Sequence, residues 1–106
     1  GQYIVFAEDG DDTVNGGVVA DYDYSSSFAL GNSSDELILS VGDLVLDAIA
    51  YDNGSTFPDP SGASMSLSGD ILDTTLNDDG AYWCEAVSVF GAGDSGTPGA
   101  ANPICE

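Results

Sequence analysis

Residues 35–51 read DELILSVGDLVLDAIAY, two apolar runs, Glu36–Ser40 and Leu44–Tyr51, on either side of Val41-Gly42-Asp43. A short glycine-bearing break between alternating apolar runs is the signature of a β-hairpin rather than of two helices. In the second run Leu44, Leu46, Ala48 and Ala50 fall on one face, and Val45, Ile49 and Tyr51 fall on the other with Asp47 among them. A strand apolar on both faces is expected near the middle of a sheet covered on both sides.

Outward from the hairpin the chain continues in short extended pieces. Gly1–Glu8 alternates Tyr3, Val5 and Ala7 against Ile4 and Phe6 and reads as a strand, followed by a loop at Asp9–Gly17 with Asp-Gly and Asn-Gly steps. Val18–Tyr24 reads as a short strand, and Phe28-Ala29-Leu30 as a loop triplet that plugs the core. After the hairpin, two prolines in Asp52–Gly62 exclude helix and central strand. Ala63–Leu67 is a strand with Met65 and Leu67 inward. Ser68–Gly80 has room for one helical turn, capped by Ser68 or Asp70. Tyr82–Phe90 is the last strand and Gly91–Glu106 an irregular tail. Five or six short strands without a long helix predict an all-β sandwich or barrel. At 106 residues the chain has room for one core, hence one domain over residues 1–106.

Charge narrows the functions. There are 19 acidic residues and no Lys, Arg or His, for a net charge of −19. Neutralising phosphates takes Lys and Arg, so nucleic acid is excluded as a partner. Anionic lipid surfaces are repelled, and no apolar run approaches the ~20 residues of a membrane span. Self-repulsion of this size predicts a fold that depends on salt or Ca²⁺. Disorder is not expected, since 42% of the residues are apolar and nine are aromatic. No charged-then-apolar leader stands at Gly1, which places any export signal outside these residues.

The order of short motifs resembles the bacterial branch of the lamin tail domain family, an immunoglobulin-like β-sandwich. The likeness is carried by Gly1–Ala7, Asn15-Gly16-Gly17-Val18, Leu30–Leu39, Asp47–Asp52, Phe57–Leu67, Asn77-Asp78-Asp79-Gly80, Trp83-Cys84-Glu85-Ala86 and Gly96–Asn102. Members of that family begin with further strands, so the resemblance implies a sandwich incomplete at its N-terminus. It then implies an unpaired edge near Gly1–Glu8, with Tyr3, Ile4, Val5 and Phe6 as the partner-binding residues for a neighbouring β-strand. The family also implies an extracellular or cell-surface setting and a non-catalytic structural role, including self-association into a filament or matrix by strand complementation. The alternative it offers is a Ca²⁺- or glycan-binding accessory module of a larger secreted or cell-surface hydrolase.

In an exported domain the two cysteines, Cys84 and Cys105, read as one disulfide tying down the tail, stabilising by ~3 kcal/mol in the chain-entropy treatment. Two free buried thiols are the other reading. Asp9, Asp11, Asp12 and Asn15 offer the hard oxygen ligands that Ca²⁺ prefers, but their spacing is not that of an EF-hand. The alternative is a solvated acidic loop, and no cofactor is required. Catalysis lacks a base for any serine, and only Glu36 and Glu85 are strand glutamates. Asn32-Ser33-Ser34 and Asn53-Gly54-Ser55 match the N-glycosylation acceptor pattern, which a bacterial source leaves unused.

Overall fold

The computed structural model describes residues 1–106. It is all-β, with eight strands in four two-stranded sheets, and its only helical structure is two 3₁₀ turns, Leu76–Asp78 and Gly80–Tyr82. The strands are β1 Phe6–Ala7, β2 Tyr22–Asp23, β3 Ser34–Val41, β4 Leu44–Asp52, β5 Met65–Leu67, β6 Trp83–Glu85, β7 Val89–Phe90 and β8 Asp94–Ser95. β1 and β2 pair in parallel, while β3–β4, β5–β6 and β7–β8 are antiparallel.

The hairpin forms as its sequence predicts. Val41 opposes Leu44 across a two-residue turn in which Gly42 takes φ +58°. Positive φ at the first central position is what a type II′ turn demands, and glycine meets it without steric cost. A register shift between Leu39 and Ser40 leaves Leu46 without a partner opposite, a β-bulge that adds twist. Asp47, Ile49 and Tyr51 face inward and are half-buried; Ala48 and Ala50 face outward and are exposed. β4 is therefore not the central, doubly covered strand expected: it has a single strand neighbour, β3, and its Ala48–Ala50 face is open.

Several other expectations are corrected. The Gly1–Glu8 strand shortens to β1, and the Val18–Tyr24 strand to β2. Tyr82–Phe90 is not one strand: β6 pairs with β5, then the chain changes partner and β7 pairs with β8. β8 also gives the tail 91–106 a strand of its own. In β5 the buried residue is Ser66 rather than Met65 or Leu67, because that face receives the tail. The small side chains of Ser66 and Ser68 let it approach: Cys105 N donates to Ser68 Oγ (3.0 Å), Gly69 N to Pro103 O (3.0 Å), and Asn102 Nδ2 to Leu67 O (2.9 Å). The helical turn falls at Leu76–Asp78, where the Asp73 carboxylate accepts from the amides of Thr75 and Leu76.

The best-packed region lies around Phe57 and Ala86, both over 90% buried, with Phe57 tilted against Trp83 at 5.8 Å between ring centres. The Cys84–Cys105 disulfide, with Cα atoms 5.8 Å apart, ties β6 to the tail beside it. Elsewhere the chain is open. Its accessible surface is 7173 Å², against about 5,500 Å² for a compact monomer of 10.8 kDa. It forms 34 backbone–backbone hydrogen bonds, where a folded chain of this length forms roughly 70.

Candidate functional site

The longest continuous stretch of exposed apolar side chains lies on the β3–β4 hairpin. Leu37, Ile38, Leu39, Val41, Leu44, Val45 and Leu46 are all exposed, so its distal half is bare on both faces. Its edges can be read from two side-chain bonds. Glu36 N donates to its neighbour's carboxylate, Asp35 Oδ1 (2.8 Å), and Ala48 N likewise to Asp47 Oδ1 (2.9 Å). Both amides thus point away from the partner strand. Glu36–Ala50 and Ile38–Ala48 are then the non-hydrogen-bonded pairs of the ladder, and their backbone groups line the outer edges. On β4, from Leu44 to Ala50, Asp47 is the one charged side chain, whereas β3 carries Asp35 and Glu36 together.

The inner face of the hairpin closes one side of an apolar cleft of about 640 Å³. Leu37 and Ile49, a cross-strand pair, form one wall. Opposite stand aromatic side chains: Phe6 edge-to-face on Tyr22 (5.9 Å), and Tyr24 stacked on Phe28 (4.3 Å, planes 7° apart). Phe28 and Leu30 line this space and remain exposed, so they border the cleft and do not plug it. Trp83 and Leu67 complete the lining.

Two polar side chains enter the cleft, Asp47 and Asn77. Asn77 Nδ2 donates to Asp47 Oδ2 (2.7 Å), and the backbone oxygen of Asn77 accepts from Trp83 Nε1 (2.8 Å). Asn77 is 92% buried, and its Oδ1, shielded from solvent, has no hydrogen-bond partner. Asp47 was conspicuous in the sequence as a lone acid on an apolar strand face. Asn77 and the aromatic set were not identifiable, because their roles arise only where residues 6, 22, 28, 47, 77 and 83 converge.

The loop residues named as metal ligands bond to the loop itself. Asp9 Oδ1 accepts from Asp11 N (2.9 Å) and Asp11 Oδ1 from Thr13 N and Oγ1 (2.9 and 2.6 Å). The Thr13 hydroxyl, then its amide, hold the Asp11 carboxyl below its ordinary value. Asn15 donates to Asp9 O and Val18 O and accepts from Val18 N, and Asp12 is exposed. No three carboxylates or thiols converge as a metal-holding group. At the candidate partner edge, Val5 uses both backbone groups within the chain: its amide on Asp21 Oδ2 (2.8 Å), its oxygen on the Asp21 and Tyr22 amides. Tyr3, Ile4 and Phe6 keep exposed side chains there. Asn32 lies in an exposed bend, and Asn53, also exposed, takes φ +57° in a turn with Gly54.

Other acids hold turns in the same manner as Asp11. Asp52 accepts from Thr56 N (3.0 Å), Thr56 Oγ1 (2.7 Å) and Phe57 N (3.0 Å), and these donors depress its pKa, Thr56 foremost. Asp35 is held low by the amides of Gly31 and Glu36. Tyr51, whose hydroxyl donates to Gly31 O, is raised by burial and then by the nearby Asp35 charge. No helix is long and apolar enough to cross a membrane. No family model, curated protein or solved structure matches the chain.

Proposed function

We propose that this chain is a non-catalytic, structural β module of the cell exterior, of immunoglobulin-like, lamin-tail type, whose copies associate by adding strand to strand. The observation that carries the reading is the bare hairpin. The chain exposes about 1,600 Å² more than a compact monomer of its mass, twice the ~800 Å² per partner of a standard stable interface. A second copy of this chain is the occupant that an excess of this size fits, through a self-complementary contact about a two-fold axis.

Charge selects the edge. Pairing through β3 brings two carboxylates from each copy, Asp35 and Glu36, to one seam, which needs salt or Ca²⁺ as a screen. Between Leu44 and Ala50 the β4 edge has only Asp47, whose carboxylate is already hydrogen-bonded to Asn77 and Ala48. Pairing β4 with β4 joins two hairpins into a four-stranded sheet; subsequent β3 pairing propagates it into a filament or matrix. The cystine between Cys84 and Cys105 supports an oxidising, extracellular setting.

Sedimentation velocity over a hundredfold concentration range in 1 M NaCl tests this. The expected result is a monomer that gives way to dimers and larger species. A single monomeric boundary throughout would refute it.

A further inference from the structure

The cleft on the inner face of the hairpin is distinct from the outer edges that the assembly uses. Its polar content is one carboxylate, Asp47, and one carboxamide, Asn77, in a wall otherwise of aromatic and aliphatic side chains. Asp47 accepts two hydrogen bonds from neutral donors, and the chain has no Lys, Arg or His to compensate its charge. Asn77 Oδ1 is shielded from solvent and so closed to the cleft as well; the carboxamide holds the Asp47 carboxylate through Nδ2. A carboxylate set among apolar walls without a countercharge carries a desolvation cost, which a cation brought by a ligand offsets.

From these we infer that the cleft binds a small organic ammonium ion with an apolar or aromatic body. Every part of the site has a counterpart in such a ligand. The ammonium supplies up to three N–H donors and a positive charge. Seated on Asp47, it pairs with the carboxylate lone pairs that Asn77 and Ala48 leave free. The faces of Trp83, Tyr22 and Phe6 attract a cation through their ring quadrupoles. The apolar body fills the space between the Leu37–Ile49 wall and the stacked Tyr24 and Phe28. Neutral apolar ligands satisfy the walls and leave the Asp47 charge uncompensated; anions are repelled. A volume of about 640 Å³ suits one small molecule of this class.

The chain has a single tryptophan, Trp83, and it lines the cleft, so its emission reports occupancy directly. The experiment titrates 2-phenylethylammonium and its neutral counterpart 2-phenylethanol at constant ionic strength in 0.5 M NaCl, where exposed carboxylates are screened. The expected result is a saturable shift of Trp83 emission with the ammonium, and at least tenfold weaker binding of the alcohol. Asp47→Asn, which keeps an oxygen for Asn77, removes the preference. Circular dichroism confirms that the variant folds. Equal binding of the two probes overturns the inference, as does an ammonium response unchanged in Asp47→Asn. A response only to a lysine-bearing apolar peptide also overturns it, by assigning the cleft to a protein partner. The titration needs no assembly, so its result is independent of sedimentation behaviour.

Discussion

At the residue scale the chain is organised by carboxylates that hold backbone amides. With no Lys, Arg or His available, several acids accept from N–H groups of their own loops, and Asp52 is the clearest example. It secures the turn that delivers Phe57, the most buried hydrophobic side chain, against Trp83. Its depressed pKa fixes the sign of the pH effect: the stabilisation is fully present above the unfolded value near 3.8 and is lost as pH falls through the folded one. Asp52→Asn should melt several degrees below the native protein at pH 6, with the gap closing as pH falls below 3.8 and through the folded value; thermal melts across that range check it. A second prediction concerns Gly80, which sits against the same turn. A Cβ there meets Thr56 O at 2.1 Å and Phe57 N at 2.8 Å, both backbone atoms that cannot rotate away. Gly80→Ala should therefore cost at least about 2 kcal/mol in urea unfolding, by overpacking.

At the element scale the hairpin was legible almost to the residue, because alternation, turn chemistry and strand length all sit in one contiguous stretch. β1, β2, β7 and β8 were not, since each is two residues long and exists only through a partner that sequence spacing does not reveal. The inward face of β5 was misread for a related reason: Ser66 and Ser68 are buried by a tail that returns from residues 97–105, and local pattern carries no trace of it. The disulfide is present as expected, and the expected irregular tail is tied to β6 by it and to β5 by Asn102. The hairpin also supplies a direct test of edge pairing. Ala50 belongs to a non-hydrogen-bonded pair, so Ala50→Pro removes a donor from the outer edge of β4 without breaking the β3–β4 ladder. The variant should remain monomeric under conditions where the native chain associates, with its far-ultraviolet circular dichroism retained.

At the scale of the whole molecule, 19 negative charges are confined to a body with a radius of gyration of 13.8 Å. At 0.01 M salt the screening length, about 30 Å, exceeds that radius and every carboxylate acts on every other; at 1 M it is ~3 Å and only neighbours interact. Thermal stability and self-association should therefore both rise with NaCl. Since no three carboxylates converge, Ca²⁺ and Mg²⁺ at matched ionic strength should act alike; a transition specific to Ca²⁺ would point to a built site instead. The composition makes the repulsion legible, and the exposed apolar strands are the surfaces that the proposed assembly would bring together.

The central claim is that the outer edge of β4 is completed by another copy. Amide hydrogen exchange of residues 36, 38, 48 and 50, at dilute and at high protein concentration in 1 M NaCl, tests it most directly. The account predicts fast exchange for all four when dilute, and slowing of Ala48 and Ala50 by at least tenfold when concentrated, ahead of Glu36 and Ile38. Equal exchange of Ala48 and Ala50 at both concentrations would contradict it.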